Sequence, residues 1–213
     1  DQPNVQFVAG RIHGLAQGNP RATLDVVRHL AERGLARYQS GSWLLPSHFD
    51  EGDLPSTLAD ALSERIGKLS GPARALAQIQ AVANGEPYTV RDFASLVGVR
   101  EHKKVFAALQ ELVSARVMVA EGDSYRFAQS SFVPVVRASL NERQSQQFHG
   151  RIADRLRQVG GDVVRRAEHL LSAGRDREAI DLLCSTDLQS RLPTVSLLER
   201  AIEQADKLSY PKA

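Results

Sequence analysis

The chain has 213 residues, 42% apolar and 24% charged, and its 27 basic and 25 acidic side chains give a formal net charge of +2. That length suits one large domain or two to three small ones, and the composition is that of an ordinary globular protein. Such balanced charge gives no overall drive toward nucleic acid or an anionic membrane, and a single cysteine excludes an internal disulfide framework and a cysteine-based zinc site.

No apolar run approaches the roughly 20 residues of a spanning helix and no signal-peptide pattern is present, so a reduced cytoplasm without membrane partners is expected. Cys184 lies in the apolar run Ile180-Asp181-Leu182-Leu183-Cys184 and reads as a buried structural thiol. The chain opens at Asp1 and holds one methionine, Met118, which reads as a piece of a longer protein whose main chemistry lies elsewhere.

In chain order, residues 5–17 predict a helix with Val5, Val8, Ile12 and Leu15 on one side. Gly18-Asn19-Pro20 breaks it and starts a second helix, which buries Leu24, Val27, Leu30 and Ala31 and ends at Gly34. A small hairpin follows, residues 35–38 and 43–45 around Ser40-Gly41. Residues 47–56, with Gly52, Pro55 and acidic groups, read as a linker. Ser56 or Thr57 then caps a helix with Leu58, Leu62, Ile66 and Leu69 inward. The next helix, 73–83, turns Leu76, Ile79 and Val82 inward.

Residues 87–127 are the most informative stretch. Thr89 can cap a short helix with Val90, Phe93, Ala94 and Val97 on its apolar face, and Gly98 supplies a tight turn. A second helix carries Val105, Phe106, Leu109, Leu112 and Val113, and two strands close on the turn Glu121-Gly122-Asp123-Ser124. Helix, turn, helix and hairpin is the plan of a winged helix. A short helix, 131–140, interrupted by Pro134, follows it. From Asn141 the chain turns helical and more basic: 144–159, the pair 163–173 and 175–184 joined at Gly174, and a last helix from about 195 to 208. The glycine-joined pair suggests a tetratricopeptide-like hairpin.

The phosphate loop, the dinucleotide fingerprint, the nucleophile elbow and the paired-histidine zinc motif are all missing from the sequence. The six histidines are scattered, and Asp50, Glu51 and Asp53 fall in the linker, so no enzyme site is expected within the chain. In the second helix of the winged segment, Arg100, His102, Lys103 and Lys104 sit off the apolar stripe and could meet phosphates, with Gln110 further along. Glu101 and Glu111 offset them, and the acidic wing tip suits a DNA backbone poorly. The arginines at 151, 155, 157, 165, 166, 175 and 177 read as helix surface whose stems cover apolar neighbours.

The order of these motifs resembles the C-terminal part of bacterial STAND-class AAA+ signalling ATPases. Residues 11–20, ending in Gly18-Asn19-Pro20, resemble the lid over the nucleotide; 35–46 with Trp43 resemble the hairpin after it. Leu54-Pro55, Leu58, Leu62, Arg65 and Leu69-Ser70 match the next pattern, and Tyr125-Arg126-Phe127 the strand closing the winged helix. The resemblance implies a mainly α fold: helical lid with a short hairpin (1–46), linker (47–56), winged helix with a small β-hairpin (57–140), and a helical, tetratricopeptide-like region (141–213). It implies a non-catalytic regulatory piece, with ATP or ADP and Mg²⁺ belonging to the full-length protein and no cofactor to the chain itself. Gly18, Asn19 and Pro20 are the positions that match the nucleotide-facing lid. Gln129 stands near where relatives carry a histidine, and it cannot hold a charge. The implied partners are proteins and the ATPase core of the same chain. A winged-helix DNA-binding regulator with a helical dimerisation or sensing tail is the alternative.

Overall fold

The computed structural model describes residues 5–16, 18–39, 42–44, 58–84, 86–99, 101–185 and 193–208. These are mainly α, with eleven helices and five short strands. They fall into two compact units, Asp1–Lys68 and Leu69–Ala213.

The first unit comprises α1 (Val5–Ala16), α2 (Pro20–Glu32), the hairpin β1 (Arg37–Gln39) and β2 (Ser42–Leu44), and α3 (Leu58–Gly67). Val8, Leu30 and Ala36 form its buried cluster, flanked by Ile12 and Leu35. The buried stripe of α2 runs through Ala22, Val26, His29 and Leu30. Leu24, expected inside, is 53% exposed. Two residues from Ala22 and from Val26, it points roughly 200° away from that stripe. Val5, in the first turn of α1, is likewise exposed. His29 is buried with its Nε2 3.4 Å from Glu64 Oε2, and Lys68 pairs with the same carboxylate at 3.0 Å. The Lys68 hydrogen bond is the main cause holding the Glu64 carboxyl below its ordinary range. The linker expected at 47–56 and the side chain of Trp43 lie outside the described residues.

The second unit begins with α4 (Gly71–Val82), β3 (Tyr88–Thr89), α5 (Val90–Val97), α6 (His102–Ser114), β4 (Met118–Glu121) and β5 (Ser124–Phe127). As the sequence suggests, Thr89 caps α5 in a reciprocal box with Asp92, and Gly98 ends the helix at φ 70°, left-handed backbone that a side chain would strain. The sheet has a third strand that periodicity did not reveal. β3 is two residues long, too short to show alternation, yet Tyr88 pairs with Tyr125 and Thr89 with Ser124, giving the order β3-β5-β4.

In α6 the buried stripe is Val105, Ala108, Leu109 and Leu112. Phe106 and Val113, expected inside, are 45% and 37% exposed. Each sits one residue past a stripe position, about 100° round the helix, so it clears the core edge. α7 (Phe132–Ala138) is continuous through Pro134. That proline is the third helical residue, where a backbone N–H has no intrahelical acceptor to lose.

The remaining helices are α8 (Glu142–Gln158), α9 (Val163–Ser172), α10 (Asp176–Ser185) and α11 (Val195–Lys207). α8 is shared between two cores. Ile152 packs with Ile79, Val82 and Leu96, whereas Ala153 packs with Val164, Leu170, Ala179 and Leu197. Gly150 faces Ala173, just past α9, where a Cβ would make an ordinary 3.8 Å contact. Val159, expected on the α8 core face, is exposed just past the helix end. Burial also declines along α10, from Ala179 and Ile180 through half-buried Leu182 and Leu183 to Cys184, which is exposed rather than buried.

Candidate functional site

The surface of α5 and α6 is the first place where function was expected. His102, Lys103 and Lys104 occupy the first turn of α6 and are exposed; Arg100 lies outside the described residues. Lys104 pairs with Glu101 at 3.0 Å, and in the β4–β5 hairpin Arg126 pairs with Glu121. Glu111 accepts from the Ser70 backbone N–H at 2.7 Å and from its hydroxyl at 2.6 Å, bonds that hold its carboxyl below the ordinary range. Lys104 is therefore matched while Lys103 has no ion pair among the described residues, and Phe106 stands out as an exposed aromatic ring. On another face of α6, two positions and so roughly 200° from Phe106, Lys104 and Ala108 help line a groove of about 470 Å³ with Leu76, Val97, Phe148 and Arg151.

Gly18, Asn19 and Pro20 form the turn between α1 and α2. Gly18 takes φ +76°, Asn19 Oδ1 accepts from the Ala22 backbone N–H at 3.3 Å, and Pro20 is the first helical residue. This is an N-cap with proline at its preferred place. All three residues are exposed. Gln129, just beyond β5, is half-buried, and its backbone carbonyl accepts from the Phe132 N–H at 3.3 Å. Gln129 and the Gly18–Pro20 turn fall in different units.

Much of the arginine-rich stretch proves to tie the second unit together. Arg155 bonds Asp92, the same carboxylate that closes the α5 capping box. Burial pushes the pKa of Asp92 up, but the bonds from Arg155 and Thr89 outweigh it and hold the carboxyl below its ordinary value. Arg151 donates to the Leu96 carbonyl at 3.2 Å. Arg165 donates to the Ala83 carbonyl at 3.2 Å and pairs with Glu86. Arg175 spans Asp154 at 2.9 Å and Glu178 at 2.6 Å. These guanidiniums satisfy helix-end carbonyls and lone carboxylates, which adds cross-helix ties to the expected packing of their stems.

Two scattered histidines come together where sequence spacing gave no hint. His149 on α8 and His169 on α9 lie twenty positions apart, yet their Nδ1 atoms are 2.8 Å apart and their rings 4.9 Å apart. One must donate and the other accept, so the pair holds a proton between two neutral rings. Burial, aided by Arg137 and Arg200, lowers the His149 pKa to about 4; burial, aided by His149, Arg165 and Arg137, lowers that of His169 to about 3. Both line a cavity of about 440 Å³. Among the described residues, no group of three or more metal-ligating side chains is gathered anywhere. The signal that could have found this site is weak: Ser145 and His149, four apart on the polar flank of α8, face the same cavity as His169 and Ser172 of α9.

Comparison with known proteins adds no identity. No protein-family model, curated protein or solved structure matches the chain.

Proposed function

We propose that the chain is a non-catalytic regulatory and interaction piece of a STAND-type ATPase acting in signal transduction or transcription regulation. In this reading α4 to β5 are a winged helix that packs against protein as part of a nucleotide-dependent switch, and the helical tail binds partners. The observation that carries it is the surface of α6. It presents Phe106, 45% exposed, on one face and a largely apolar groove on another, while Lys104 is ion-paired with Glu101 and, on β5, Arg126 with Glu121. An exposed aromatic ring and a largely apolar groove each suit a protein partner, whereas a DNA surface needs unpaired cations. Exposure of Pro20 at the α1–α2 turn is compatible with a lid that meets nucleotide in the encoded protein.

The alternative, a DNA-binding winged-helix regulator, rests on the exposed His102 and Lys103 at the start of α6. Titrating the chain onto duplex DNA at low and high salt separates the two. The protein-docking reading expects weak binding with little salt dependence. Submicromolar binding that falls steeply with salt overturns it in favour of a DNA reader.

A further inference from the structure

The cavity holding His149 and His169 lies wholly within the second unit, away from the α6 surface and independent of its function. Its rim comes from α7, α8, α9 and α11. Arg137 reaches it while donating from Nε to the Ala81 carbonyl at 2.9 Å and from Nη2 to Asn84 Oδ1 at 2.6 Å. Arg200 enters from α11, where its one described hydrogen bond is a long one, 3.4 Å, to Ser172 Oγ. Neither arginine has a carboxylate partner among the described residues, unlike Arg155, Arg165 and Arg175 on neighbouring faces. Glu142 and Glu168 also line the cavity, but neither forms an ion pair with either arginine. The charges that act on the two imidazoles are cationic: Arg137, Arg200 and Arg165. Ser145 and Ser172 add hydroxyls, and Val82, Leu140 and Leu197 give one apolar wall.

We infer that this cavity is a binding site for a small organic anion, its phosphate or carboxylate head held by Arg200, Arg137 and the His149–His169 pair and its body against the apolar wall. Two exposed guanidiniums with no ion-pair partner among the described residues, set at one open cavity with two imidazoles, offer donors that an oxyanion can bridge. A volume of about 440 Å³ exceeds what a bare inorganic ion fills and lies in the range of ligand pockets. The ligand also acts on protonation: a bound anion favours imidazolium, so the pair takes up a proton more readily when the site is filled.

Histidine-ring spectra of the chain at neutral pH, titrated with inorganic phosphate and separately with succinate against matched chloride, test this. The expected result is a saturable shift of the His149 and His169 signals with one or both anions, while His102 stays fixed. Arg200→Gln should weaken that binding about tenfold, the loss of one charge-assisted bond. Lys207→Gln, which removes an exposed cation about two turns beyond Arg200 on α11, should leave it unchanged. Saturation with phosphate alone or succinate alone assigns the head group. No saturable shift with either anion up to tens of millimolar overturns the inference. So does equal weakening by both substitutions, because it reports only bulk charge.

Discussion

Asp92 ties two helices of the second unit together. It closes the α5 cap with Thr89, at 3.0 Å to the backbone N–H and 2.7 Å to the hydroxyl, and it receives Arg155 from α8. Asp92→Ala removes a cap and leaves a half-buried guanidinium alone, so a loss of about 2–3 kcal/mol is expected in urea unfolding. Because its folded pKa is depressed, that contribution is complete above the unfolded carboxyl value and disappears as pH falls through the folded one. The stability difference between wild type and Asp92→Asn should therefore shrink below about pH 4. Arg116 offers a contrasting test. It sits beyond α6 in left-handed backbone, φ 54°, with its side chain exposed. Arg116→Gly relieves that strain and should stabilise the chain by up to about 1 kcal/mol, whereas Gly98→Ala should cost about as much. Thr89 and Gly98 were legible because a cap and a turn are local chemistry. Arg155 as the second partner of Asp92 was not, since the contact spans 63 positions.

Among the elements, α8 decides how the second unit holds together. Ile152, 1% exposed, seats the helix against α4 and α5, so Ile152→Ala should cost about 2–5 kcal/mol. The histidine pair on the same helix predicts a pH profile with a definite sign. Both folded pKa values lie well below the ordinary 6.5, at about 4 and about 3. Below 6.5 the unfolded chain therefore binds protons that the folded chain refuses, and stability falls steadily as the pH drops toward 4. Each histidine contributes on the order of 1 kcal/mol per pH unit in that window. His149→Gln should flatten the slope, and a profile unaltered by it would show that another group sets the acid limit. Helices were the most legible feature of the sequence. Their order is as expected, but the faces are only partly so, because stripes such as those of α2 and α6 are narrow and apolar residues at their edges can point to solvent. Leu24, Phe106 and Val113 all fall there. The two-residue β3 and the meeting of α8 with α9 at the histidines depend on tertiary pairing and left no periodic trace.

At the scale of the whole molecule, the chain gathers a mainly α framework, an α6 surface with an exposed phenylalanine, and a separate cavity in the second unit that holds Arg137, Arg200 and the histidine pair. The proposed switch ties the first of these surfaces to nucleotide state in the encoded protein. Replacing Pro20 by alanine there should weaken ATP binding, and an unchanged affinity would remove the lid from the account. Hydrogen exchange of the encoded protein with ADP and with a non-hydrolysable ATP analogue tests the central claim most directly. The account predicts that amides of α6, His102–Ser114, are more protected in one nucleotide state than in the other, as a docked face is covered and released. Identical exchange across α6 in both states, or no nucleotide binding at all, would contradict it.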